Sequence, residues 1–320
     1  MKQFLHLLLI MLCFASCKDD DAVNPEIAKI GIRVNIERFD QIFARTNISE
    51  LPKIKKAFPF MFSKRYDDVY WEERMNDSLQ QMLQSATKEV FQDMSAEENE
   101  VALLFKHLKY YYPAFKTPRV ITATSRVDYR NKVYVTDTIV LVSLDTYLGA
   151  KHEYYEGMQT YIKANLKPEQ LVVDLASKYA EQRIYQPRRS SLLDEMIYFG
   201  KALYFKDIMI PFKTDAQKIG YTDAQYDWAK VNEENIWRYF VERELLYSTN
   251  VKLPNQFINP APFSKFYLEE IDNDSPGMIG RYIGWKIVKS YMSNNDVTLN
   301  ELLKTDAETI FNASKYKPQL

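Results

Sequence analysis

The stretch with the strongest claim to chemistry is Ser190-Ser191-Leu192-Leu193-Asp194-Glu195-Met196-Ile197-Tyr198. On a helix, positions 194 and 198 lie one turn apart and face the same way. With histidines in those two places and a glutamate after the first, such a helix grips zinc while the glutamate activates water. Here Asp194 and Tyr198 occupy the imidazole positions, and Glu195 alone keeps the expected chemistry. Neutral imidazole suits zinc because it binds the ion without stacking up negative charge. Apart from His6 near the start, the chain has only His107 and His152, both far from this helix in sequence. A site of Asp194, a tyrosine and Glu242 or Glu244 is conceivable, but it would suit a harder cation and hold zinc weakly. An amphipathic core helix with a surface Asp-Glu pair is the simpler reading, so no catalytic residue, metal or cofactor is expected.

Other chemistries have less support. The chain has no G-x-S-x-G elbow, Walker loop or dinucleotide fingerprint. The acid pairs Glu72-Glu73, Glu97-Glu98 and Glu233-Glu234 are adjacent on helices, where neighbours do not face each other across a cleft.

A second distinctive stretch is Phe263-Ser264-Lys265-Phe266-Tyr267-Leu268-Glu269-Glu270-Ile271-Asp272, followed by Ser275-Pro276-Gly277 and a helical segment with Gly280, Arg281, Gly284 and Trp285. Glycine costs a helix about 1 kcal/mol relative to alanine, so three glycines at spacings of three and four point to a face pressed against another backbone. That face is either internal packing or a partner surface. Ser275 as N-cap and Pro276 as the first helical residue would start the helix sharply.

The remaining chemistry lies at the start of the chain. Met1-Lys2-Gln3 leads into an apolar run from Phe4 to Phe14, the layout of a secretory signal peptide and too short to span a bilayer. Phe14-Ala15-Ser16-Cys17 places two small residues directly before a cysteine, as in a bacterial lipobox. Cleavage would leave Cys17 as an acylated first residue, and Lys18-Asp19-Asp20-Asp21 would begin a hydrated tether. We therefore expect a signal peptide at 1–16, a lipidated tether at 17–27 and one globular domain at 28–320. Cys13 is removed with the leader, so the mature chain can form no internal disulfide.

These residues must be positioned by a substantial core. Hydrophobic residues make up 46% of the chain, with 23 Tyr and 18 Phe, while eight glycines argue against low complexity. A net charge of −1 offers no basic excess for nucleic acid or anionic lipid. From Lys29 to Asp40, Ile30, Ile32, Val34 and Ile36 alternate with less apolar residues, which predicts an opening strand. Ile42 to Phe62 has no regular pattern. Helical spacing follows at Trp71–Thr87 and at Ala96–Tyr110, the latter with Ser95 as N-cap and Glu98 completing a capping box. Val120–Ser125, Lys132–Val135 and Ile139–Leu144 predict an antiparallel meander, which with the opening strand makes a sheet of about four strands. Beyond Tyr154 the pattern is helical: 155–165, 169–186, 191–209, 223–250 with one break, 277–293 and 299–307. The fold class is α+β, with a small antiparallel sheet in the N-terminal half and a helical C-terminal half.

Several stretches together resemble the gliding-motility lipoprotein GldB family. They are Val127-Asp128-Tyr129, Tyr198-Phe199-Gly200-Lys201-Ala202-Leu203-Tyr204, Lys218-Ile219-Gly220-Tyr221-Thr222, Ala261-Pro262-Phe263-Ser264-Lys265-Phe266, Ser275-Pro276-Gly277-Met278-Ile279-Gly280-Arg281-Tyr282-Ile283-Gly284-Trp285 and Ser314-Lys315-Tyr316-Lys317-Pro318. The likeness runs from about Lys29 to the C-terminus. It implies a lipoprotein needed for gliding, working with envelope proteins that drive surface adhesins and with type IX secretion. It also implies distant kinship with predicted zinc peptidases that carry H-E-x-x-H where this chain has Asp194, Glu195 and Tyr198. The scaffold would then be zincin-like, of the gluzincin kind, with its metal lost and Glu242 where a third ligand would stand. The expected function is non-catalytic binding or positioning of gliding components, with membrane attachment through the lipid and an outer-membrane location. The alternatives are a metallopeptidase with unusual ligands and a peptide-binding chaperone that uses a former active-site cleft.

Overall fold

A computed structural model describes residues 24–318 of the chain. The expected signal peptide, Cys17 and most of the expected tether lie outside the described residues. Within the tether, Asn24 caps a one-turn helix, α1 (Pro25–Ala28), whose Ile27 is buried.

The N-terminal half holds helices α2 (Phe39–Arg45), α3 (Leu51–Ala57), α4 (Asp68–Asn76), α5 (Ser78–Val90) and α6 (Ser95–Tyr111), and strands β1 (Ile36–Glu37), β2 (Arg119–Ala123), β3 (Val133–Val135) and β4 (Ile139–Ser143). The C-terminal half is helical: α7 (Thr160–Lys163), α8 (Leu171–Glu181), α9 (Leu192–Met209), α10 (Asp215–Ile219), α11 (Asp223–Val231), α12 (Glu233–Glu242), α13 (Glu269–Asp272), α14 (Ile279–Asn294), α15 (Leu299–Leu302) and α16 (Ala307–Ser314). The α+β class expected from sequence is the observed one. No helix among the described residues is long and apolar enough to cross a membrane.

The expected antiparallel meander is corrected to a mixed sheet of order β1-β2-β4-β3. β1 pairs parallel to β2, β2 pairs parallel to β4, and only β3 and β4 run antiparallel. Thr136-Asp137-Thr138 joins β3 directly to β4, so the two make a hairpin. The segment after β2 instead folds onto the end of β4. Buried Asp145, just past β4, accepts the backbone N–H groups of Ser125 at 2.9 Å and Val127 at 2.7 Å. Bringing the two C-terminal strand ends together in this way makes β2 and β4 parallel.

The opening alternation is likewise only partly a strand. Ile32 and Val34 are half-buried against the core and their neighbours are exposed, yet only Ile36 and Glu37 join the ladder. Ile32 and Val34 run along α6, where the Glu98 carboxylate accepts the Ile36 N–H at 2.8 Å. Glu98 therefore closes no capping box, and Ser95 is the first helical residue rather than the cap. The segment expected to be irregular forms α2 and α3. Helices of seven residues carry too few turns to display a period. Phe39 and Phe43 of α2, with Phe58 and Phe62 beyond the end of α3, join Trp71 in a second, smaller core.

The main core centres on α9 and α14, which cross at their glycines. A Cβ on Gly200 would lie 2.3 Å from the Gly284 carbonyl oxygen, and one on Gly284 would lie 1.9 Å from that of Met196. Neither side chain could exist without parting the helices. Trp285, Tyr282, Ile283 and Ile287 are fully buried beside this crossing.

Candidate functional site

The N-terminal turn of α9 uses its polar residues to start the helix. Ser191 is the N-cap, its Oγ accepting the Asp194 N–H at 3.1 Å. Asp194 returns the bond, its Oδ2 accepting the N–H groups of Ser191 at 2.9 Å and Ser190 at 3.0 Å. Burial pushes the Asp194 carboxyl up, but these bonds outweigh it and hold the group below the usual aspartate range. Glu195 is clamped by Arg189, whose Nε donates to Oε1 at 2.9 Å while Nη2 donates to Oε2. The same guanidinium lies 3.7 Å from the centre of the Tyr198 ring. Burial raises the Tyr198 phenol and the Arg189 charge lowers it, with a net rise.

Asp194, Glu195 and Tyr198 therefore sit together, as helical spacing requires, but each already has a local partner. Glu242, at the end of α12, is exposed. It is not among the residues lining the ≈ 530 Å³ cleft beside Asp194, whose walls include Tyr185, Leu193, Tyr247 and Lys304. Glu244 is exposed too, with backbone in the left-handed region. Among the described residues, no three His, Cys, Asp or Glu side chains gather at metal-holding distances. His107 is buried on α6 with its Nδ1 bonded to the Ile208 carbonyl at 2.7 Å, and His152 caps a short turn. The donor set does not fit a hydrolytic zinc ion.

The glycine face belongs to internal packing. Gly284 meets α9, Gly280 lies against Phe257 and Ile258, and a Cβ on Gly277 would strike the Ala261 carbonyl at 2.3 Å. The start of α14 differs from expectation. Ser275 and Pro276 precede the helix, and Met278 is the N-cap with φ of 60°. Ser264, from a remote loop, supplies the capping oxygen by accepting the Ile279 N–H at 3.1 Å, while Ser275 Oγ donates to the Ser264 carbonyl. Trp285 donates its Nε1–H to Asp207 at 2.7 Å.

The family model of the gliding motility protein GldB matches residues 20–318. The chain belongs to the GldB family. Comparison with curated proteins and with solved structures gives no match. Membership assigns the chain to gliding motility and to the cell envelope.

Four of the six stretches that carry the resemblance contribute to a second cleft, of ≈ 460 Å³, which Lys206 near the C-terminal end of α9 also lines. Tyr129, Lys218 to Tyr221, Ala261, Gly277, Met278 and Arg281 all line it. Sequence reasoning singled out Arg281 but missed Lys132, Asp174 and Lys206, the other charged residues of the lining besides Lys218. The Lys206-Asp207 pair inside the otherwise apolar run from Ala202 to Met209 was the available signal, since lysine is seldom buried without a purpose. Lys206 Nζ donates to the Lys218 carbonyl at 2.7 Å, and burial pulls its pKa down to about 8. Arg281 Nε donates to the Ile258 carbonyl at 2.7 Å, and its guanidinium stacks 3.8 Å from the Phe199 ring centre. Burial lowers the Arg281 pKa to about 10, which leaves it charged at neutral pH.

Proposed function

We propose that the protein is a non-catalytic, lipid-anchored component of the gliding apparatus that binds or positions other parts of the gliding and type IX secretion machinery. In this reading Cys17 carries the lipid and holds the chain at the outer membrane. The observation that supports a non-catalytic role is the engagement of the degenerate motif: Asp194 starts α9 and Glu195 neutralises Arg189. A peptidase would need Glu195 free to take a proton from water. It would also need a third ligand, and neither Glu242 nor Glu244 is placed to be one.

The test is rescue of a deletion strain by wild-type, Glu195→Gln and Cys17→Ser chains at matched levels, scored by gliding and by adhesin secretion. The expected result is full rescue by Glu195→Gln and failure by Cys17→Ser, with that chain released from the membrane fraction. Loss of gliding with a folded Glu195→Gln chain would overturn the non-catalytic reading. Membrane retention of Cys17→Ser would overturn the anchor.

A further inference from the structure

The cleft at the C-terminal end of α9 holds more positive charge than the chain neutralises. Lys132, Lys206, Lys218 and Arg281 line it. Lys218 is answered by Asp207 at 3.0 Å and Asp215 at 3.3 Å. Asp174 is the one acid in the lining, and it is taken by an ion pair with Lys132 and by the Tyr147 hydroxyl at 2.9 Å. Neither Lys206 nor Arg281 has a carboxylate at ion-pair distance among the described residues. Each has a single hydrogen bond to a backbone carbonyl, from Lys206 Nζ and from Arg281 Nε. Neither terminal nitrogen of the Arg281 guanidinium has a hydrogen-bond partner among the described residues, and Arg281 lines the cleft.

Two unanswered cations in a half-enclosed space are costly. An isolated ammonium taken from water loses several kcal/mol of solvation unless a counter-charge is supplied. Lys206 has only 9% of its surface exposed, so water replaces little of that loss. A planar guanidinium matches an oxyanion with two parallel N–H donors, and a nearby ammonium adds a point charge. The lining also offers apolar and aromatic surface from Tyr129, Tyr161, Ile162 and Met278, beside the neutral polar side chains of Asn165, Gln170, Ser177 and Gln225. Such a cleft is built for a ligand that carries one anionic end and an apolar body.

We propose that Arg281 and Lys206 form an oxyanion-binding site that takes the carboxylate or phosphate end of an organic ligand, whose apolar part lies against Tyr129, Tyr161 and Met278. This inference does not rest on the non-catalytic reading of Glu195, because it draws only on the residues that line this cleft.

The experiment is calorimetric titration of the full chain in detergent with four probes: N-acetyl-tyrosine, its neutral amide, phenyl phosphate and inorganic phosphate. At least one anionic probe is expected to bind and the amide is not. Binding of N-acetyl-tyrosine alone identifies a carboxylate site, and binding of the phosphates alone a phosphate site. Lys206→Met keeps the length and apolar stem of the side chain and removes the charge. It is expected to weaken the binding probe roughly tenfold or more, the usual worth of a charge-assisted hydrogen bond. Arg281→Gln should do the same. Should Arg281→Gln fail to fold, Lys206→Met decides the matter alone. Equal binding of acid and amide, anion binding unchanged by Lys206→Met, or no anion binding at millimolar concentration would each overturn the proposal.

Discussion

Alanine at Gly284 should be among the most damaging single-methyl additions in this protein. The added Cβ would lie 1.9 Å from the Met196 carbonyl oxygen and 2.4 Å from its carbon, both backbone atoms. An ordinary carbon-to-oxygen contact needs about 3.3 Å, so α9 and α14 must part by roughly 1.4 Å. A gap of 0.5–1 Å already forfeits about a quarter to a half of each dispersion contact, and a buried side chain makes on the order of 50 of them. Trp285, Ile283 and Ile287, all fully buried, sit at this crossing. If three such side chains each lose a quarter of their contact energy, the loss is about 4 kcal/mol. Alanine's better helix propensity returns about 1 kcal/mol. The expected net destabilisation is about 3 kcal/mol, a large part of the 5–15 kcal/mol typical of folded proteins. It should appear in urea melts and as a Tm lower by at least about 5 °C. Two substitutions calibrate it. Gly31→Ala, with nothing within 4 Å, should stay within about 0.5 kcal/mol of wild type. Gly280→Ala, whose Cβ meets the movable Ile258 Cδ1 at 2.8 Å, should fall between the two. A Gly284→Ala chain as stable as wild type would refute the close crossing of α9 and α14.

Two further measurements probe buried charge. Burial lowers Lys201 and Lys206 to about 8, against the ordinary lysine value of 10.5. Between those values the unfolded chain binds more protons, so stability rises with pH, by about 1 kcal/mol for each lysine from pH 7 to 9. Above about pH 10 the sign reverses, because burial raises Tyr221 and Tyr226 and the unfolded chain loses those protons first. A urea midpoint that stays flat or falls between pH 7 and 9 would contradict this. Asp145→Asn should cost about 2–3 kcal/mol, since one carboxylate oxygen becomes an N–H donor facing the N–H groups of Ser125 and Val127. Faster hydrogen exchange should localise to residues 125–131, where Arg126 and Val127 hold φ of 58° and 60°; unchanged exchange there would show that Asp145 does not hold the turn.

The helices of the C-terminal half were legible because they carry whole turns of apolar spacing, and α9 begins within one residue of its expected start. The sheet was less legible. Strand pairing depends on which ends meet, and here that is decided by one carboxylate, Asp145, whose burial no local pattern reveals. Capping failed where the capping atom came from elsewhere: Ser264 reaches α14 from fifteen residues before Ile279, while nearby Ser275 serves the loop. Among site residues, Asp194, Glu195 and Tyr198 share the first two turns of α9, a relation that helical spacing alone sets. Glu242 could not be placed, because its position depends on how α12 packs. Lys206 was overlooked because its meaning lies in the cations and the cleft around it.

The two ends of α9 also differ in how their charges are met. At the N-terminal end, Asp194 accepts N–H groups that would otherwise be unsatisfied, and it stands where the helix dipole favours negative charge. Glu195 and Phe199 fall on one stripe with Lys206, at spacings of four and seven residues, and Arg189 and Arg281 both lie over the Phe199 ring, at 5.5 and 3.8 Å. The first guanidinium is neutralised by Glu195, whereas the second has no acid of its own among the described residues. Charge along the stripe is therefore balanced where Glu195 stands and unbalanced at the cleft. A ligand that is attracted to this surface by charge should be sought at Arg281 and Lys206, and not at the acids whose spacing first drew notice.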